Sequence, residues 1–174
     1  MTANAPVGEV ISGYDTPAPS WDLVEKGLVH GNSTYWLATV RPDGRPHVMP
    51  LFGVWVDGAM YFTSNPKALK AKNLAQNPHC VITATSDDLD IVVEGDAAKV
   101  TDEAELQRIA EAYIDKYGWP VTVRDGAFDA PFGAPTAGPP PYELYEITVE
   151  TVFGLGTSEP FGSGRFRFGP DSAT

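Results

Sequence analysis

Three of the six lysines, Lys67, Lys70 and Lys72, fall within six residues of one another in a chain whose formal net charge is −11. A local reversal of charge of this kind suits an anion, because a phosphate or carboxylate forms charge-assisted hydrogen bonds there that the acidic remainder of the chain does not offer. Thr63, Ser64 and Asn65 just before them are N-cap residue types, and Pro66 fits a first helical position. The spacing predicts a helix that starts at Pro66, with its free N–H groups and positive dipole end aimed at the same anion. Lys67 and Lys70 would then share one helical face; the competing reading is a solvated charged face. Lys116, on another helix, is taken as a charge outside this site.

Two further groups carry chemistry. His47 lies in Arg45-Pro46-His47-Val48-Met49-Pro50, on a strand expected to run beside the one ending at Thr63. It is either an acid–base candidate or a hydrogen-bonded strand histidine. Arg165 and Arg167 alternate with Phe166 and Phe168, so that the arginines share a strand face. They either complete an anion site or pair with the many carboxylates. His30, His47 and His79 are widely separated and Cys80 has no second thiolate, so no metal site is expected. The chain has no GxSxG, no P-loop and no GxGxxG, which removes the residues that a serine hydrolase, a P-loop NTPase or a dinucleotide fold requires. Asp87, Asp88 and Asp90 sit in a turn, where aspartate serves the backbone.

Strands joined by hairpins must position these groups. From Tyr35 the apolar period is two: YWLATV, the turn at Asp43-Gly44, RPHVMPLFGVWV, the turn at Asp57-Gly58, then AMYFTS. Pro50 cannot donate to a ladder and belongs at an edge, bulge or break. CVITAT and DIVVEGDAAKV follow, with Gly95 expected as a bulge, then ELYEITVETVFGLG and the short RFRF. Ser20 caps a lead-in helix carrying Trp21, Val24 and Leu28, and residues 101–117 form the clearest helix, stopped by Gly118 and Pro120. The expectation is a mainly β protein with flanking helices, an antiparallel barrel of six to seven strands.

At 174 residues the chain is expected to hold one domain, residues 20–168, after an N-terminal arm of residues 1–19 and before a tail of residues 169–174. Residues 118–142, rich in proline and glycine, are expected to be a flap, an arm or a partner contact. Cys80, in an apolar run, reads as a buried core residue in a reducing compartment. With no apolar run near the ~20 residues of a membrane span and no signal-like N-terminus, a cytoplasmic protein is expected. A pI of about 4.5 argues against nucleic acid as a partner.

The order YWLATVRPDGRPHVMPLFGVWVDGAMYF, TSNPKALKAKNLAQNP, DIVVEGDAAKV resembles the flavin- and deazaflavin-binding split-barrel family that includes pyridoxamine 5′-phosphate oxidase. The KAKNLAQNP segment is similar to the actinobacterial branch that uses coenzyme F-420, an 8-hydroxy-5-deazaflavin. The resemblance implies a split β-barrel and a homodimer with two cofactor sites across the interface. It implies Thr63, Ser64, Lys70, Lys72 and Asn73 at the cofactor phosphate, with Lys67 nearby. It further implies Val48, Met49 and Pro50, with His47, against the ring, and Arg165 and Arg167 toward cofactor or substrate. GSGRFRFGPDSAT replaces the oxidase's C-terminal substrate pattern, a departure from vitamin B6 oxidation. The implied activity is hydride transfer between a reduced deazaflavin and a small apolar or conjugated substrate. FMN chemistry on the same fold, or a non-catalytic carrier of a flavin, deazaflavin or tetrapyrrole, is the alternative.

Overall fold

The structure, a computed structural model, describes residues 6–13, 15–31, 34–135 and 137–169. Eleven strands and three helices occur among them, in the order β1 (Glu9–Val10), α1 (Trp21–His30), β2 (Tyr35–Val40), β3 (Pro46–Leu51), β4 (Gly53–Val56), β5 (Ala59–Ser64), α2 (Leu69–Gln76), β6 (His79–Thr85), β7 (Leu89–Lys99), α3 (Glu103–Tyr117), β8 (Thr122–Arg124), β9 (Ala127–Asp129), β10 (Glu143–Gly156) and β11 (Ser163–Arg167). The mainly β, antiparallel class expected from the sequence holds, with more strands than six or seven. One expected strand is broken in two, residues 9–10 add a short edge, and residues 122–129 form a hairpin of their own.

Local chemistry sets most boundaries. The Ser20 hydroxyl accepts from the Leu23 N–H at 3.3 Å and starts α1, and the Asp102 carboxylate accepts from the Glu105 N–H at 2.9 Å and starts α3. Gly118, at φ 61°, closes α3 with its N–H on the Ile114 carbonyl. At the β4–β5 turn Asp57 and Gly58 both take positive φ, 50° and 83°, as a type I′ hairpin demands. The β2–β3 connection departs from that type: Pro42 keeps its φ negative, the Gly44 N–H bonds the Arg41 carbonyl at 2.8 Å, and only Gly44 enters the left-handed region.

Topology makes the barrel split. One edge of β10 pairs with β7 over nearly its whole length; the other pairs first with β5, from Glu143↔Ser64 to Ile147↔Met60, and then with β11, from Thr151↔Arg167 to Leu155↔Ser163. The sheet forks there, with β1-β11 on one branch and β5-β4 on the other. The extra residue at the fork is Glu150 of β10, and not Gly95 as expected from the sequence. Gly95 answers a different need: a Cβ there would meet the Thr148 carbonyl oxygen at 2.1 Å, so the two strands approach closely only because it has none. The other end of the sheet runs β7-β6-β2-β3 and leaves β3, with Pro46 and Pro50, as its edge. RPHVMPLFGVWV is therefore two strands. β3 pairs with β2, and only β4 runs beside β5, which corrects the expected neighbourhood of His47 and Thr63.

The core is in two parts. Inside the barrel Leu28, Tyr35, Leu37, Phe62, Ile82, Ile91, Ile147 and Phe166 are buried around Trp21, whose ring lies 5.3 Å from Phe166, 5.1 Å from Phe168 and 6.1 Å from Trp55. Cys80 is buried there, as expected. The outer face of β4 and β5 carries the second part, where Val54, Tyr61 and Leu144 meet Leu106, Ile109 and Tyr113 of α3. Residues 118–142 pack into this second core through Trp119, Val121, Phe128 and Tyr142, each 3% exposed or less. Burial on both faces is why β5 reads AMYFTS, apolar without alternation.

Candidate functional site

The helix after β5 begins later than its residue types suggest. Asn65 uses its side chain on its own turn, Oδ1 accepting from the Lys67 N–H at 2.9 Å, and its carbonyl accepts from the Ala68 N–H at 3.0 Å. That turn fills residues 65–68, so α2 starts at Leu69 after Ala68, which offers no side-chain cap. Lys67 therefore stands outside the helix and shares no face with Lys70. Thr63 and Ser64 remain in the strand and are buried; Ser64 donates to the Asn65 carbonyl at 3.2 Å, and Thr63 lies beside the hydroxyl of Tyr113. Neither caps α2. Lys72 faces solvent, while Lys70 is half-buried, and burial holds its ammonium below the ordinary lysine range.

α2 packs against β2, and there the polar groups converge. Asn73, with no exposed surface, donates its Nδ2 to the Thr39 hydroxyl at 3.0 Å. Thr39 is 1% exposed and is the cross-strand partner of His47. Arg41, two residues on, is on the Thr39 side by strand alternation, with its N–H held by the Arg45 carbonyl at 2.9 Å. Burial first, and then the charges of Arg41 and Lys70, push the His47 imidazole below its usual range. Among the described residues the buried side-chain polar atoms without a hydrogen-bond partner are Arg41 Nε, His47 Nδ1 and Asn73 Oδ1. His47 stands opposite Thr39, to which Asn73 bonds, and Arg41 follows two residues on, so the three lie along one stretch of the β2–β3 edge. An orphaned buried polar group costs about 1–3 kcal/mol unless something meets it, which makes this stretch the candidate anion site. Two cations with an N–H-bearing ring and a buried amide fit a phosphate or other compact anion.

Arg41 and Thr39 were not anticipated. The signal was present in YWLATVR, where the period of two places Tyr35, Leu37, Thr39 and Arg41 on one side, but Arg41 also begins the turn RPDG and reads as a turn residue. Of the anticipated residues, His47, Lys70 and Asn73 come together. Val48 and Pro50 stand on the opposite side of β3 from His47 and Met49, beside Ala38 and Trp36. Trp36 and Val48 are each 50% exposed and Met49 46%, an apolar rim along the sheet edge. Arg165 is far from this group within one chain: it pairs opposite Phe153, ten positions along β10 from the Glu143↔Ser64 pair, roughly 33 Å at a strand's rise. Its guanidinium is taken by Glu9 at 2.7 Å, which holds the Glu9 carboxyl below its usual range. Arg167 is exposed on the same strand.

Lys116 is not the ordinary surface charge the sequence suggested. Half-buried near the end of α3, it donates to the Tyr35 hydroxyl at 2.6 Å and lies 4.6 Å above the Tyr35 ring and 5.6 Å from that of Tyr117. Burial brings its ammonium down to about 8. Tyr35 in turn donates to the Leu28 carbonyl at 2.6 Å, Tyr117 bridges the carbonyl and N–H of Gly53 at 2.7 and 3.0 Å, and Tyr113 donates to the Phe52 carbonyl at 3.0 Å. These tyrosines hold the break between β3 and β4. Among the described residues no three His, Cys, Asp or Glu side chains converge as a metal site would require, and no helix is long and apolar enough to cross a membrane.

Several solved structures share the fold at low identity. An F-420 reductase is 22% identical, with a TM-score of 0.52 over 82% of this chain and 98% of its own. A heme binding protein from Mycobacterium smegmatis is 16% identical, with a TM-score of 0.61 over 87% of this chain and 60% of its own. A pyridoxamine 5′-phosphate oxidase-related, FMN binding protein from Nostoc punctiforme is 18% identical, with a TM-score of 0.50 over 79% of this chain and 88% of its own. No curated protein matches the sequence. Residues 25–156, which run from α1 through the fork to the end of β10, match the family described as pyridoxamine 5′-phosphate oxidase. The forked antiparallel barrel and that match over most of the chain agree: the protein belongs to the pyridoxamine 5′-phosphate oxidase family.

Proposed function

We propose that the chain is an oxidoreductase that binds coenzyme F-420 and moves a hydride between that deazaflavin and a small apolar or conjugated organic molecule. The observation that carries this reading is the pocket of Arg41, His47, Lys70 and Asn73, in which cations and unpartnered buried polar atoms coincide beside an apolar rim. Arg41 and Lys70 would hold the phosphate, with Thr39 fixing the Asn73 amide behind it. Lys72 and Lys67, both exposed, would meet the more distant anionic tail. Met49 and the edge of β3 would lie along the ring and exclude water from it. The deazaflavin, when bound, supplies the hydride chemistry. The protein grips, orients and dries the site.

Trp36, Val48 and Pro50 offer an exposed apolar face that suits a second copy of the chain, with Arg165 and Arg167 contributing to a site only from that copy. The similarity to an F-420 reductase favours the deazaflavin, and that to an FMN binding protein supports FMN as the second reading. A carrier role is the third, favoured by the likeness to a heme binding protein. The test is fluorescence titration of the purified chain with coenzyme F-420 and with FMN, followed by turnover of the reduced cofactor with enones and quinones. Saturable binding of F-420 with turnover supports the proposal. A yellow preparation holding FMN with no affinity for F-420 overturns the cofactor assignment, and tight binding without turnover leaves the carrier.

A further inference from the structure

α1 and the turn between β6 and β7 enclose a cleft of about 200 Å³ to which neither β3 nor α2 contributes. Two glycines of α1 set its floor. A Cβ at Gly27 would meet Ile91 Cδ1 at 2.6 Å and Ser86 Oγ at 3.2 Å, and one at Gly31 would meet the Thr85 carbonyl oxygen at 2.7 Å. Backbone therefore lies directly against the turn, and the longer side chains on either side of it stand up as walls. The turn is held from within and from behind. The Ser86 N–H donates to the Leu89 carbonyl at 2.8 Å, the Thr157 N–H to the Asp88 carbonyl at 2.9 Å, and the Ser158 hydroxyl to the Asp88 carboxylate at 3.0 Å.

The two walls carry opposite charge and do not close on each other. Lys26 and His30, one helical turn apart, stand on the α1 side, and Asp87 and Asp88 stand on the other. Among the described residues the side chains of Lys26, His30 and Asp87 have no hydrogen bond or ion pair, and Asp88 has one carboxylate oxygen to spare beside the one taken by Ser158. A ligand that answers both walls needs an anionic end and a cationic end. Size limits it further: a cavity of about 150 Å³ takes up benzene, so this cleft suits roughly six to ten non-hydrogen atoms and is too small for a flavin-type ring system. Leu23, 41% exposed, ends the α1 wall with an apolar surface.

We propose that this cleft is a second binding site, for a small zwitterion of the α-amino acid class with a short apolar side chain. Its carboxylate meets the Lys26 ammonium and the ring N–H of His30, its ammonium meets Asp87 and Asp88, and its side chain covers Leu23.

The experiment is titration of the isotopically labelled whole chain with glycine, L-alanine, L-valine and L-leucine, followed through the backbone amide NMR signals. The expected result is saturable shifts centred on Gly27, Gly31 and Ser86 to Asp88, with valine bound more tightly than glycine. Isobutylamine, which lacks the carboxylate, and isobutyrate, which lacks the ammonium, should each bind about tenfold or more weakly than valine. Asp87→Asn and Lys26→Met, which keep side-chain size and remove one charge each, should weaken valine by a similar factor while the remaining amide signals stay in place, reporting an intact fold. Cleft signals that none of the four amino acids moves overturn the proposal. So do equal affinities for isobutylamine and valine, the same shifts with magnesium chloride at lower concentration, or unchanged valine affinity in both variants.

Discussion

Two half-buried lysines sit near opposite ends of β2, and their surroundings differ. Lys116, at the Tyr35 end, has lost part of its hydration and has been given a replacement: a hydroxyl at 2.6 Å, two aromatic faces, and a relay to the Leu28 carbonyl. Lys70, at the Thr39 end, is similarly half-buried, has no hydrogen-bond or ion-pair partner among the described residues, and sits on α2 three residues before Asn73, its charge acting on His47. A satisfied cation fixes structure, whereas an unsatisfied one keeps an interaction in reserve for a ligand. Equal burial at two points of one strand thus separates a structural end of the molecule from a binding end.

The sharpest way to break this comparison is at the structural end. Tyr113, fully buried against Tyr117, Trp119 and Phe128, should cost about 3–5 kcal/mol of stability as Tyr113→Ala, read as the shift in a urea unfolding midpoint. A loss below 1 kcal/mol would show that the tyrosine cluster is not what holds α3 to the break at Gly53. At the binding end, Lys70→Ala should leave stability unchanged and weaken coenzyme F-420 or FMN by about ten- to a hundredfold, the equivalent of 1.5–3 kcal/mol. Lys26→Ala, an exposed charge on α1, serves as the control and should change neither. Equal affinity for wild type and Lys70→Ala would erase the distinction between the two lysines.

A finer test uses the proton. Because burial lowers the folded-state ammonium of Lys116 to about 8 while the unfolded value stays near ~10.4, the unfolded chain binds more protons between those limits. Stability conferred by this group therefore rises as pH increases from about 8 to about 10, and the cost of the buried charge is fully present below 8. Lys116→Met should be more stable than wild type at neutral pH by about 1 kcal/mol, after allowing for solvent screening of a partly exposed group, and the difference should shrink toward pH 10. A difference independent of pH would mean that the rings and the Tyr35 hydroxyl fully replace water around the ammonium. The smallest effect belongs to Arg165→Ala, which should leave thermal unfolding unchanged because its pair with Glu9 is exposed and screened. A change in cofactor affinity in that variant would sharpen the comparison in another way, since Arg165 stands far from His47 and Lys70 within one chain.

What the sequence determined by itself was whatever depends on neighbours a few residues away. The period of two from Tyr35, the Asp57-Gly58 hairpin, the Ser20 cap and the stop at Gly118 are all local, and each stands where it was expected. The same local reasoning failed where two local solutions competed: Asn65 could cap a helix or close its own turn, and it closes the turn. Long-range pairing decided the rest. Strand register set Thr39 opposite His47, and the dock of α2 brought Lys70 and Asn73 to them. The dock of α3 brought Lys116 to a tyrosine 81 positions earlier and Tyr117 to Gly53 at a separation of 64. Burial of a charge is a property of everything packed around it, and residues distant in sequence supply that packing. That is why lysines indistinguishable as letters became a strut at one end of a strand and a candidate ligand site at the other.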